Sequence, residues 1–253
     1  MADYTTIQFT QDDGLAHVEL NRPDVRNALS TDMIREITDV FTAASSEDSI
    51  RIILLSGSGE SFCAGADLQS MKDAGTQSFE ENKADAELLE AMYTAVNNCD
   101  KPVVGKIHGH AFGGGFGLCT VCDIVVADAA TIFSLSEVLL GIIPSVIGPF
   151  TVDKIGMSHF RALGISGERF DGAHAEKIGL VHFSVAEEDL NQTVDAVIKQ
   201  LKKAGPKAMA GFKSYCRSME LEDAAALIAE LRASEEGQEG ISAFLEKRKP
   251  NWK

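Results

Sequence analysis

The sequence predicts an α/β fold built from stacked ββα units, followed by a tail of helices alone. Short apolar strand patterns alternate with helical ones up to about residue 190. Glycine-bearing loops punctuate those strands, and beyond them only helical periodicity remains. The division expected from this change of pattern is a core over residues 1–190 and a helical region over 191–253.

"TTIQFT" and "LAHVEL" read as two strands joined by a turn at "QDDG". A helix from about Thr31 to Ala44 follows, capped by Ser30 or Thr31. "RIILLSG" is the next strand, and "SFEENKADAELLEAMYTAVNNC" a long amphipathic helix. The polar connection from Met71 to Lys83 between them is expected to border a binding pocket and to be mobile. "KPVVGKIHG" reads as a buried strand, "AFGGGFGL" as a glycine bend opening a short helix, and "CDIVVAD" and "TIFSL" as two further strands. In the tail, "EEDLNQTVDAVIKQLKKA", "KAMAGFKSYCRSM" and "LEDAAALIAELRASEEG" read as helices separated by Gly or Pro breaks. No internal sequence repeat is visible.

A chain of 253 residues with 45% hydrophobic content can bury a substantial core. No apolar run approaches the ~18–20 residues that cross a bilayer, and "MADYTTIQFTQDDG" lacks the regions of a signal peptide, so a cytoplasmic protein without membrane partners is expected. Its 23 basic residues against 38 acidic give a net charge of −15, which repels a phosphate backbone and argues against nucleic acid as main partner. Five cysteines without framework spacing suit a reducing compartment. Cys119 and Cys122 form one C-x-x-C with no second pair and no suitably spaced His. Two small buried thiols are therefore expected there, and no metal.

The glycine bend raises the functional question. A dinucleotide fingerprint fails because Leu118 and Thr120 stand where its last glycine would have to be, and no G-x-x-x-x-G-K-[ST] or G-x-S-x-G match exists. Glycines at a strand-to-helix junction also let a substrate oxygen approach free backbone N–H groups, provided a second loop supplies another donor. "GESFCAGADL" is such a loop. Both segments can equally be tight turns.

"NRPDVRNAL", "SFCAGADL", "AFGGGFGL" with "VCDIVVAD", "FSLSEVLLGIIP" and "GISAFLEKRKPNW" resemble, in order and spacing, the crotonase or enoyl-CoA hydratase/isomerase superfamily over essentially the whole chain. The resemblance implies a crotonase-like spiral of ββα units, a C-terminal helical region that forms a homotrimer or a dimer of trimers, and an acyl-CoA thioester substrate. CoA is then part of the substrate, and no separate cofactor is expected. The two family amides that hold the thioester carbonyl and stabilise an enolate fall on Ala66 and Gly114. Residues implied to contact the CoA moiety or the oxyanion turn are Val25, Arg26, Ala28, Ala64, Asp67, Leu68, Gly113 and, from the C-terminal cluster, Lys247.

Standard hydratases of the family carry two glutamates. The second matches Glu137; at the first this chain has Gly117. A mechanism that divides acid and base between two carboxyls therefore does not transfer, and the resemblance places proton transfer on Glu137, with a pKa expected to rise in a partly apolar site. "GGGFGL", "SEVLLGIIPSVIGPF" and "RFDGAHAEKIGLVHF" are most similar to methylglutaconyl-CoA and isohexenylglutaconyl-CoA hydratases of leucine and acyclic terpene breakdown. Ser145 replaces a family glycine whose amide helps hold water. His108 and His110 would share one strand face without a third ligand, and His110 is near enough in sequence to contact substrate. The expectation is a hydratase of 2-enoyl-CoA. Its rivals are a 3-enoyl to 2-enoyl isomerase and a non-catalytic CoA-ester-binding or RNA-binding family member.

Overall fold

A computed structural model describes residues 4–218 and 221–252. Asp13 and Gly14 begin the fold: both have positive φ, 45° and 74°, the pattern of a primed hairpin turn whose twist matches its strands. They join β1 (Ile7–Asp12) to β2 (Leu15–Leu20) antiparallel, with Asp12 opposite Leu15. Along β2 the apolar Ala16, Val18 and Leu20 alternate inward, which fixes the register. The helix α1 (Thr31–Ser45) starts where Ser30 Oγ accepts from the Met33 N–H at 3.3 Å, and it buries Met33, Ile37, Val40, Phe41 and Ala44 as one stripe. Each large side chain of that stripe contributes about 1.5–3 kcal/mol by leaving water.

Next come β3 (Ile52–Gly57), α2 (Leu68–Ala74) and α3 (Phe79–Asn98), then β4 (Val103–Ile107), β5 (His110–Phe112) and α4 (Gly114–Thr120). The chain continues through β6 (Ile124–Asp128), β7 (Ile132–Ser134), a 3-10 turn at Glu137–Leu140 and α5 (Gly148–Ser166). Then follow β8 (Arg169–Phe170), α6 (Gly172–Lys177), β9 (Phe183–Val185), α7 (Glu187–Leu201), α8 (Pro206–Ser218), α9 (Leu221–Ala233) and α10 (Glu235–Leu245).

A large sheet has the order β1-β2-β3-β4-β6-β9, parallel after its first pair, and a small sheet has the order β5-β7-β8. Two central units send one strand to each sheet before the helix: β4 and β5 precede α4, and β6 and β7 precede the 3-10 turn and α5. This is the spiral of ββα units that the sequence leads one to expect. Beyond β5, isolated bridges pair Cys63 with Ala111 and Leu29 with Ala66, which ties the loop after β3 to the small sheet.

The main core lies among both sheets, α1, α3 and α4. A second cluster forms where Leu190, Val194 and Ile198 of α7 pack on Ile52, Val104 and Val126 of the large sheet. The division expected after residue 190 falls inside α7, and that helix packs on the core sheet. The later helices are tethered to the core: Lys213 Nζ, nearly buried, pairs with Asp123 Oδ2 at 2.7 Å, and the Trp252 indole donates to the Lys203 carbonyl at 3.0 Å. Phe212, Phe244 and Leu245 of this region are exposed.

The connection from Met71 to Lys83 borders a cavity through Met71, Ala74 and Asn82, as expected of it. Most of it is the end of α2 and the start of α3, where Ser78 and Glu81 close a reciprocal capping box. Cys119 and Cys122 are buried as expected, their thiols bonded to carbonyls one helical turn back. Met219, the end of an expected helix, and Met1–Asp3 of the N-terminal stretch lie outside the described residues. Among the described residues no helix is long and apolar enough to cross a membrane.

Candidate active site

Two hydrogen-bonded loops assemble the site. Leu29 N–H donates to the Gly65 carbonyl at 2.8 Å and Asp67 N–H to the Leu29 carbonyl at 3.2 Å. Ala66 lies between those two bonds, so its own N–H points away from Leu29. Cys63 N–H donates to the His110 carbonyl and Phe112 N–H to the Cys63 carbonyl, which lays the same loop along β5. A Cβ on Gly65 would stand 2.9 Å from the Phe112 carbonyl oxygen and 3.9 Å from Gly114 N, so the Ala66 and Gly114 segments adjoin. Among the described residues, neither the Ala66 nor the Gly114 N–H donates within the chain. Gly113 turns β5 into α4 with φ 46° and ψ −110°, a backbone that only glycine adopts without strain.

Glu137 meets this turn from the start of the 3-10 turn that follows β7. Its Oε1 would be 3.3 Å from a Cβ on Gly113, and its Oε2 is buried without a hydrogen-bond partner. Burial raises the carboxyl pKa above the usual glutamate range, with the Glu137 N–H opposing part of that rise. Ala66, Gly114 and Glu137 line one cavity of about 340 Å³. Ile34, Met71, Leu89, Val146 and Ile147 form apolar wall, Ser145 and Asp85 also border it, and among the described residues no Lys, Arg or His does.

Tyr93 of α3 lines the same cavity, and sequence reasoning passed over it. It is fully buried, and its hydroxyl donates to the Gly114 carbonyl at 2.8 Å. A Cβ on Gly117 would lie 2.9 Å from both Cε1 and Cζ of Tyr93 and 2.5 Å from Cγ2 of Ile147. The absence of a carboxylate at 117 therefore has a steric counterpart, because the volume beside Gly117 is occupied by ring and methyl. Phe150 packs against that ring in a tilted arrangement, centroids 6.1 Å apart.

The residues expected to meet CoA separate into two groups. Val25, Arg26, Ala28, Ala64, Asp67 and Leu68 fall on the two loops, stitched by Ala64 N–H to the Arg26 carbonyl at 2.9 Å. Val25, Arg26 and Leu68 are exposed, whereas Ala28 is buried and its carbonyl accepts from Arg22 Nη1 at 2.6 Å. Asp67 is engaged structurally: its carboxylate accepts from Arg22 Nη1 at 2.8 Å and from Gln69 N–H at 2.8 Å, capping α2. Asn27, also unremarked in the sequence, is fully buried and ties this region together through Arg22 N–H, Ser58 and Ser61. Lys247 stands in the turn after α10 with φ 56°, away from this loop pair in the chain's hydrogen bonding.

His108 and His110 do not border the cavity. His108 Nε2 bonds the Gly59 carbonyl at 2.9 Å, and His110 Nδ1 bonds Ser61 Oγ at 2.9 Å. Burial, then the charges of Arg26 and Arg169, lower the pKa of His110.

Residues 10–253 match the family model described as enoyl-CoA hydratase/isomerase. The fold superposes on a crystal structure of an enoyl-CoA hydratase from Shewanella pealeana with a TM-score of 0.94, 35% identity, and coverage of 98% of this chain and 96% of that one. The chain is 32% identical to the mevalonyl-coenzyme A hydratase sidH of Aspergillus fumigatus, across 92% of this chain and 89% of that protein. It is also 30% identical to a peroxisomal Delta(3,5)-Delta(2,4)-dienoyl-CoA isomerase of Arabidopsis thaliana, across 100% of this chain and 98% of that protein. The chain belongs to the enoyl-CoA hydratase/isomerase family, and its spiral of ββα units is the crotonase fold.

Proposed function

We propose that this enzyme hydrates a 2-enoyl-CoA thioester through an enolate held by the Ala66 and Gly114 amides, with Glu137 as its proton-transfer group. The observation that carries the reading is the unpartnered, buried Oε2 of Glu137 in the cavity that those two amides border. In this scheme the Glu137 carboxylate takes a proton from water as its oxygen bonds to C3. The double-bond electrons move to the thioester oxygen, and the enolate collapses as Glu137 returns that proton to C2. Water is added with no change of oxidation state, so the scheme needs no separate cofactor. Removing one oxyanion donor costs about 2.7–4 kcal/mol in a protease precedent, which sets the scale for each amide.

The cavity supports a neutral, apolar acyl group over a branched glutaconyl one. A second carboxylate on the acyl chain would enter a site bordered by Asp85 and Glu137 and, among the described residues, by no cationic side chain. Incubation with crotonyl-CoA, a longer 2-enoyl-CoA and 3-methylglutaconyl-CoA tests this by loss of the conjugated thioester absorbance. The expected order is fast loss with the neutral substrates and slow loss with the dicarboxylic one. Preference for 3-methylglutaconyl-CoA would overturn the acyl assignment.

The second reading is an isomerase, favoured by the single carboxyl and by the dienoyl-CoA isomerase relative. A 3-enoyl-CoA separates the two: an isomerase generates conjugated absorbance from it, whereas a hydratase leaves it unchanged. We further propose that the exposed apolar residues Phe212, Phe244 and Leu245 of the C-terminal helices pack between subunits of a trimer or a dimer of trimers.

A further inference from the structure

We propose that Tyr93 is a positioning residue for the thioester carbonyl: its hydroxyl grips Gly114 by the carbonyl, and its ring fills the space beside Gly117. The inference rests on the reading of the Gly114 amide as an oxyanion donor. Three independent features meet on this side chain. Its hydroxyl donates to the Gly114 carbonyl at 2.8 Å, and Gly114 is the first residue of α4. Its ring touches the volume of position 117 so closely that even a methyl group there would collide. It also borders the cavity that holds Glu137.

Physical chemistry gives this arrangement a specific consequence. Gly113 and Gly114 have no side chains to hold the turn, and Gly113 sits in a conformation with no intrinsic preference for a single well. An oxyanion donor works only if it is aimed before the charge develops. Anchoring the Gly114 carbonyl fixes the torsion that follows its N–H and so narrows the directions in which that N–H can point. Burial first, and then neighbouring Cys63 and Glu137, hold the phenol protonated far above neutral pH, so the donor is present throughout the working range. Gly117 serves the same device, because a Cβ at 117 would press on the Tyr93 ring, at 2.9 Å, as well as on Ile147 Cγ2, at 2.5 Å.

Tyr93→Phe removes one oxygen atom and keeps the ring. The expected result is a fall in kcat of about tenfold or more with KM changed less than about threefold, the scale of one hydrogen bond acting in the transition state. A separate readout is the absorption of bound 2,4-hexadienoyl-CoA, which shifts to the red when hydrogen bonds polarise the thioester carbonyl. The wild type is expected to show the shift and Tyr93→Phe a smaller one. Gly117→Ala is expected to lower kcat in the same way, and Gly117→Ala/Tyr93→Phe to do so by less than the product of the two single effects.

A wild-type red shift retained in full by Tyr93→Phe, with unchanged kcat, overturns the role of Tyr93 and leaves the amide reading standing. Absence of the red shift in the wild type overturns both. If Gly117→Ala does not fold, Tyr93→Phe alone decides.

Discussion

Arg22 and Asp67 form an ion pair of 2.8 Å that fastens the turn before α1 to the loop carrying Ala66. The same guanidinium nitrogen donates to the Ala28 carbonyl, and the same carboxylate caps α2. Burial alone would raise the Asp67 pKa, but hydrogen bonds from Arg22 and from the Gln69 and Ser70 N–H groups outweigh it and hold the carboxyl below the usual range.

Asp67→Ala removes the helix cap and leaves Arg22 with one fewer acceptor, at an expected cost of about 1–3 kcal/mol. Thermal unfolding should show a Tm lower by roughly 2–12 °C in a chain of this size. Because the folded-state pKa is depressed, the contribution is present above the ordinary aspartate pKa and is lost as pH falls through the folded value. The Tm difference between wild type and Asp67→Asn should therefore shrink toward strong acid. A constant difference from pH 7 down to pH ~2 would contradict the pairing.

Gly113→Ala forces a Cβ into φ 46°, ψ −110° and sets it 3.3 Å from Glu137 Oε1. Strain of about 1–3 kcal/mol is expected, together with a displaced carboxyl. Tm and kcat should fall together. A variant with normal turnover would show that the turn tolerates a side chain and that Glu137 does not depend on its shape.

Much of this site was legible before any coordinates. Ser30 as a cap and the glycine bend opening α4 follow from local chemistry that a linear sequence displays, whereas the pairing of Ala66, Gly114 and Glu137 came from the family resemblance. Tyr93 was not legible, because a tyrosine in a long amphipathic helix reads as ordinary core. Its meaning depends on contact with Gly114 and Gly117, more than twenty positions away. The role of α7 was hidden for a similar reason: its apolar stripe shows an amphipathic helix but not which surface receives it. The ion pair of Asp67 was not legible either, because its partner, Arg22, lies in another loop.

His182 joins β9 to β6 by accepting from the Val125 N–H at Nδ1, 2.9 Å away. Burial, and next the charge of Lys154, push its imidazole down to about 4. The unfolded chain takes up this proton near pH ~6.5, so stability is full above that value and declines as pH falls toward about 4. His182→Asn retains an acceptor without a titrating ring and should flatten this part of the Tm-against-pH curve. An unchanged slope would assign the acid loss to other groups.

Glu137 has the opposite sign. Its folded-state pKa is raised by burial, so the folded protein is favoured below the ordinary glutamate pKa and loses that advantage as pH rises through the folded value. Glu137→Gln should therefore raise Tm at neutral pH, with the gain vanishing near pH ~4. A destabilised variant at neutral pH would mean that the carboxylate has a partner that compensates its burial.

Turnover by Glu137→Gln, measured with binding of the same 2-enoyl-CoA, tests the central claim most directly. The amide isostere keeps the shape of the side chain beside Gly113 and cannot take a proton from water. A fall in kcat on the order of 10²–10⁴ is expected, with thioester affinity within a few-fold of wild type. Near-normal kcat in this variant would contradict the assignment of proton transfer to Glu137.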